Sequence, residues 1–194
     1  MCGRPAIDGA THPGCRTRYT IDGLTSFFRY DGIIRKAVKA LKYRFVSDLA
    51  SEFVSIIPND ALRFLMKSRI PDQVRNDNVV YVPIPLHPSR FRERGYNQAE
   101  VLGKLIAGKL GIAVRTDILI RTRKTTPQVE MKKREARLKN MENVFAVSPN
   151  NSISLYPYIF LFDDVFTTGA TMRSAANVLK RKGVKFVWAV TMAR

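Results

Sequence analysis

Residues 158–172, YIFLFDDVFTTGATM, constrain the fold more than any other stretch of this chain. Ile159, Phe160, Leu161 and Phe162 form an uninterrupted apolar run, rich in aromatic and β-branched residues, that suits a central strand buried on both faces. Asp163 and Asp164 stand at its carboxyl end, where open α/β sheets place their ligands. Thr167, Thr168, Gly169, Ala170 and Thr171 follow as a turn able to curl backbone N–H groups around an anion, because Gly169 tolerates unusual dihedrals. Residues 172–182 then read as a helix, with Gly183 as its stop.

The two halves of this stretch have complementary chemistry. Carboxylates accept hydrogen bonds from vicinal sugar hydroxyls and hold Mg²⁺ directly or through water, while the turn and helix N-terminus favour a phosphate. One strand end can therefore grip both ends of a ribose 5-phosphate. An apolar strand ending in two aspartates also occurs as the acidic Mg²⁺ strand of P-loop NTPases. The chain has no GxxxxGK[ST], so nothing would cradle β- and γ-phosphates, and the dinucleotide fingerprint GxGxxG is missing too.

Charge and composition narrow the partners. With 194 residues and 45% hydrophobic content the chain can bury one substantial core. Its formal net charge of +17 favours polyanions such as sugar diphosphates, nucleotides or nucleic acid, although charge alone carries no specificity. No run of about 18 apolar residues occurs and the first residues lack a basic-then-apolar pattern, so the expectation is a cytoplasmic protein without membrane insertion. Cys2 and Cys15 are then expected as reduced thiols or metal ligands.

Along the chain, Ile33, Ile34, Val38 and Leu41 recur at helical spacing within residues 31–43, and a second helix is expected over 47–57, interrupted by Pro58, Asn59 and Asp60. Residues 67–78 read as a polar loop broken at Pro71. A strand over 79–84 leaves through a turn stiffened by Pro83, Pro85 and Pro88, and a helix runs from Asn97 to about Leu110 with Gly111 as its stop. Short strands are expected over 118–121 and 143–147, a charged helix over 131–140, and a last strand over 185–191 that closes the sheet. Lys132, Lys133, Arg134, Arg137 and Lys139 in the charged helix suit a solvated face or a nucleic-acid stripe.

YIFLFDDVFTTGATM closely resembles the signature of type I phosphoribosyltransferases, which bind 5-phosphoribosyl 1-diphosphate (PRPP). Three further stretches are similar to the ComF (GntX-like) branch: DGLTSFFRYDGIIRKAVKALKYR at 22–44, VPIPLHPSRFRERGYNQAEVLGKLIA at 82–107 and RTRKTTPQ at 121–128. The resemblance covers most of the chain, excluding residues 56–78. It implies an α/β fold with a parallel-centred sheet, flanking helices, a small hood or lid and a helical N-terminal extension. The implied division is a zinc-knuckle-like remnant at 1–25, the helical extension at 26–78 and a phosphoribosyltransferase-like domain at 79–194.

The same resemblance implies roles. Asp163 and Asp164 would hold the ribose hydroxyls and Mg²⁺, and Thr167, Thr168, Gly169, Ala170 and Thr171 the 5-phosphate. Leu86, His87, Pro88, Ser89 and Arg90 would form the diphosphate loop through backbone donors and the Ser89 hydroxyl, with Arg92 and Arg94 adding charge. His87 is expected to be positional and not a general base. Arg123, Lys124 and Gln128 would reach the substrate from a closing lid. Family members usually begin with a four-cysteine zinc knuckle; Cys2, Cys15 and His12 look like the back part of one, so Zn²⁺ is expected only if upstream residues complete it. The implied activity is Mg²⁺-dependent phosphoribosyl transfer to a nitrogen acceptor, linked to DNA uptake in competent bacteria, in a class of enzymes that often dimerises. The alternative is a non-enzymatic scaffold or sensor binding single-stranded DNA or competence proteins.

Overall fold

The computed structural model describes residues 9–43, 47–69, 78–125, 143–149 and 153–194. In chain order they form β1 (Gly23–Phe28), α1 (Gly32–Tyr43), α2 (Ser47–Ser55), α3 (Asn59–Arg69), β2 (Val79–Pro83), α4 (Pro88–Arg94), α5 (Gln98–Leu110), β3 (Ala113–Val114), β4 (Leu119–Arg121), β5 (Phe145–Val147), β6 (Tyr158–Val165), α6 (Ala170–Arg181) and β7 (Phe186–Ala193). Five strands pair in the order β1-β7-β6-β2-β3, every pairing parallel. β4 and β5 make a separate antiparallel pair. This is the parallel-centred α/β sheet of a phosphoribosyltransferase-like fold.

The apolar run of β6 lies at the centre of the sheet, and its alternate side chains feed two cores. Ile159 and Leu161 pack with Met172, Ala175 and Leu179 of α6 and with Leu119 and Phe145 of the small sheet. Phe160 and Phe162 pack on the opposite face with Leu102 and Ile106 of α5 and with residues of α1, α2 and α3. Tyr81 and Phe162 are fully buried and their rings tilt together at 5.5 Å, an arrangement worth about 0.5–1.5 kcal/mol beyond burial.

Several elements depart from the reading of the sequence. Ile33 is 78% exposed, because the buried stripe of α1 runs through Val38 and Leu41, with Ile34 packed against the same core, and leaves Ile33 on the outer side. Residues 59–69 form a helix, α3, whose Leu62 and Leu65 complete the second core, so the loop expected from residue 67 starts at least three residues later. Residues 70–77 lie outside the described residues, as does the charged helix expected over 131–140. α6 begins at Ala170 and so takes in two residues of the expected turn.

β7 does not close the sheet. The N-terminal segment contributes β1, which pairs with β7 from Gly23↔Trp188 to Phe28↔Ala193 and occupies the edge. Asp22 fastens it: the carboxylate accepts from Val187 N–H at 2.8 Å and pairs with Lys180 Nζ at 2.7 Å, both side chains being under 10% exposed. Removing one partner of such a buried pair costs about 3–5 kcal/mol, so the segment before α1 is fixed to the sheet and to α6 together.

Candidate functional site

Strand order locates the site. The chain leaves β2 outward to β3 and leaves β6 in the other direction to β7, so the crevice between the carboxyl ends of β2 and β6 is the topological switch point where open sheets bind ligands. β2 ends with Ile84 N–H donating to Phe162 O at 2.8 Å. Asp163 and Asp164 follow Phe162 directly, so both residues lie at the β6 side of this crevice, just beyond the last β2–β6 pair.

The two aspartates occupy different environments because side chains alternate along a strand. Asp163 shares the face of Ile159 and Leu161, towards α6 and the small sheet, and is half-buried. Its Oδ1 accepts from Asp164 N–H at 2.9 Å. Asp164 shares the face of Phe160 and Phe162, is 5% exposed, and accepts from Gln98 Nε2 at 3.3 Å.

Beyond them the chain makes the anticipated turn. Thr167 is exposed and Thr168 half-buried, and Thr168 Oγ1 accepts from Ala170 N–H at 3.4 Å. Gly169 adopts the left-handed conformation at φ 73°, which lets the first turn of α6 start without a bend in the strand. Arg173 donates to Thr168 O at 2.7 Å and braces the turn from inside the helix. Thr171 lies in the first turn of α6 and is half-buried. With no acidic residue in that turn, the helix presents its positive end to the crevice.

On the β2 side, Pro85 and Leu86 lead to His87, which caps α4, with Pro88 at the first helical position. His87 Nδ1 accepts from Ser89 N–H at 3.2 Å and lies 2.8 Å from Ser89 Oγ, and Arg90 N–H donates to His87 O at 2.9 Å. Two backbone donors of the expected diphosphate loop are therefore engaged inside this cap, and what the loop offers an anion is chiefly charge. Arg90 Nη2 reaches Thr125 O at 2.8 Å, across to the loop after β4.

Arg121, at the end of β4, joins the same group. It donates to Thr125 Oγ1 and lies over the Phe145 ring at 5.6 Å. Burial pulls its guanidinium down to about 10, helped by repulsion from Arg90 and opposed by Asp163, so it stays charged at neutral pH. Arg123 and Lys124 are exposed on the loop that follows, and Gln128 lies outside the described residues.

His87 reports the resulting field. Partial removal from water, then Arg121, Lys124, Arg92 and Arg90, hold its imidazole below the ordinary value of 6.5. It is therefore neutral at pH 7, in keeping with Nδ1 acting as an acceptor. As pH falls below 6.5 the unfolded chain takes up this proton first, so the His87 contribution disfavours the fold progressively down to its lower folded value. The expected result is a His87 Cε1–H titration midpoint below 6.5. The chain has two histidines, so a His87→Gln variant assigns the signal. A midpoint at or above 6.5 would contradict this arrangement.

Near the N-terminus, Cys15 is a partly exposed residue of a 3-10 turn; among the described residues it has no disulfide partner and the buried His12 Nδ1 has no hydrogen-bond partner. Cys2 lies outside the described residues, and among the described residues no three metal-binding side chains come together. A separate cavity of about 340 Å³ lies between the exit of β2, α4 and α5, lined among others by Leu86, Phe91, Arg92 and Glu100. Asp163, Asp164 and the residues of the Gly169 turn are not part of its lining.

Four side chains at this crevice had no role assigned from sequence: Gln98, Asn97 as a tether, Arg121 and Arg173. Asn97 was legible as a helix start, but its Nδ2 also donates to Ile84 O at 3.0 Å. Arg173 lies one turn into α6, where the helical periodicity was the only visible signal. Nothing local pairs Gln98 with a carboxylate 66 positions away.

No family model matches the chain. Curated proteins do. "Competence protein F" of Haemophilus influenzae is 31% identical over 113 residues, 58% of this chain and 49% of that protein. "Competence protein ComFC" of Bacillus subtilis is 29% identical over 198 aligned positions, 94% of this chain and 71% of that one. "DNA utilization protein YhgH" of Salmonella typhimurium is 28% identical over 167 positions, covering 84% and 68%. The chain thus spans about half the length of the Haemophilus protein and about seven tenths of the other two. Similarity to these competence and DNA utilization proteins, over most of the chain in two of the three, supports a ComF family protein.

Proposed function

We propose that this protein binds PRPP in the crevice between β2 and β6 and transfers its phosphoribosyl group to a nitrogen acceptor, in the service of DNA uptake or utilization. The observation that carries the reading is the convergence, at one switch point, of an acidic strand end, an uncapped-by-acid helix start and a ring of cations. Asp163 and Asp164 accept from the ribose hydroxyls, the turn at Thr167, Thr168 and Gly169 with the start of α6 takes the 5-phosphate, and Arg90, Arg92, Arg121 and Lys124 neutralise the diphosphate.

The residues fit Mg²⁺, which dehydrates reluctantly and is usually held by one or two carboxylates together with substrate phosphates, here Asp163 and Asp164. When bound, it withdraws charge from the diphosphate oxygens. The bond from the anomeric carbon to the diphosphate breaks with its electron pair leaving on oxygen, and the acceptor nitrogen's lone pair forms the new bond and then sheds a proton. The chain's contribution is orientation and charge placement, and it requires no covalent nucleophile. The relatives' names, competence protein and DNA utilization protein, support the biological setting.

Incubation with PRPP, Mg²⁺ and a panel of nucleobases and amines is expected to release inorganic pyrophosphate with at least one acceptor. No release with any acceptor, by protein that binds PRPP, would favour the second reading, a non-enzymatic DNA-binding scaffold. The net charge of +17 supports that reading. It requires single-stranded DNA binding that falls steeply with salt and survives loss of both aspartates.

A further inference from the structure

The turn joining α4 to α5, Arg94-Gly95-Tyr96-Asn97-Gln98, is fastened to three parts of the molecule at once. Gly95, at φ 78°, closes α4 with its N–H on Phe91 O at 2.7 Å. The Tyr96 hydroxyl donates to Leu41 O of α1. Asn97 donates from Nδ2 to Ile84 O at 3.0 Å and accepts at Oδ1 from Ala99 N–H at 3.1 Å. Gln98 accepts at Oε1 from Arg94 Nη1 at 3.2 Å and donates from Nε2 to Asp164 Oδ2 at 3.3 Å. Asn97 and Gln98 are 7% and 6% exposed. Neighbouring residues at the start of α5 thus hold the exits of β2 and β6, the two strands that flank the crevice.

The chemistry of Gln98 leaves no choice of orientation. A guanidinium only donates and an ionised carboxylate only accepts, so the amide must turn its oxygen to Arg94 and its nitrogen to Asp164. A glutamate here would set two carboxylates against each other, and a leucine would fill the space without donating. In a buried setting a bridge of this kind fixes the plane of the carboxylate it serves.

We propose that Gln98 is a positioning residue of the ribose subsite, holding Asp164 in the orientation that meets the sugar hydroxyls. This rests on the phosphoribosyl reading of the crevice. Gln98 touches no substrate itself; it acts through Asp164, and Arg94 sets its amide.

The test titrates PRPP, and separately inorganic pyrophosphate, into the full chain with Mg²⁺, using wild type, Gln98→Leu and Gln98→Glu. Gln98→Leu is expected to weaken PRPP by about 10- to 100-fold, the usual effect of losing a residue behind a ligand, while pyrophosphate, which makes no use of the ribose subsite, stays within about twofold of wild type. Gln98→Glu is expected to bind PRPP poorly at pH 8 and to recover relative to wild type towards pH 5.5, as a proton shared by the two carboxyls restores a donor to Asp164. If Gln98→Leu does not fold, this pH-reversible binding decides the matter. Equal losses for PRPP and pyrophosphate, no loss in folded Gln98→Leu, or a Gln98→Glu deficit independent of pH would overturn the role. Wild type that binds pyrophosphate but not PRPP or ribose 5-phosphate would overturn the phosphoribosyl reading itself, and the role with it.

Discussion

Changing Asp163 and Asp164 together to asparagine is expected to weaken PRPP binding at least about 100-fold while leaving the fold intact. Hydrogen bonds to charged groups contribute about 1.5–3 kcal/mol each, so the loss of two charged acceptors corresponds to about 3–6 kcal/mol, or about two to four decades in affinity. The fold survives because each asparagine keeps an acceptor oxygen. At position 164 it still receives Gln98 Nε2, and at 163 it still receives the N–H of the following residue. Calorimetry gives the affinity and circular dichroism the fold. A folded double variant with wild-type affinity would remove these carboxylates from the site.

Gly169→Ala is expected to weaken phosphate recognition by a different route. The residue has φ 73°, in the left-handed region, where a Cβ costs about 1–2 kcal/mol. An added Cβ would also stand 2.5 Å from Cζ of the buried Phe166 ring, closer than carbon atoms can approach. Phe166 cannot simply turn away, since it packs in the core with Ala170 and Met172 and its N–H is bonded to Ala193 O at 2.9 Å. The turn must shift, and with it the N–H groups at the start of α6. Ribose 5-phosphate affinity should fall by at least about 10-fold, equivalent to about 1.4 kcal/mol, and the melting temperature by several degrees. An alanine variant that melts and binds like wild type would show that the turn does not cradle the phosphate.

The β6 strand was legible because an apolar run of Ile159 to Phe162 has only one good place in an α/β sheet, its centre. α5 was legible because Asn97 and Gly111 are local signals: the first caps through its own side chain, the second takes the left-handed turn that ends the helix. The start of α6 was less so, because Thr168, Gly169 and Ala170 carry both turn and helix character; in the structure Gly169 is the N-cap and Arg173 donates back to Thr168 O.

The N-terminal strand and α3 were not foreseen for a common reason. GLTSFF in β1 has no strict alternation, and its strand character depends on the waiting edge of β7 and on the Asp22–Lys180 pair. α3 is polar overall and becomes helical by placing Leu62 and Leu65 against the core that α1, α2 and α5 already form. The side of the site formed by Arg121 and Gln98 is a matter of long-range geometry. Arg121 reads in sequence as one more basic residue of a +17 chain, and only the pairing of β4 with β5 brings it over Phe145 and into the field of Asp163.

The central claim is that the crevice between β2 and β6 is a working phosphoribosyl diphosphate site. Calorimetric titration of PRPP into the wild-type chain, with Mg²⁺ and again with a chelator, tests it most directly. Saturable binding to one site per chain that requires Mg²⁺ is the predicted result. No binding by a well-folded protein under either condition would contradict it and would make the acidic strand and its turn a feature of the fold alone.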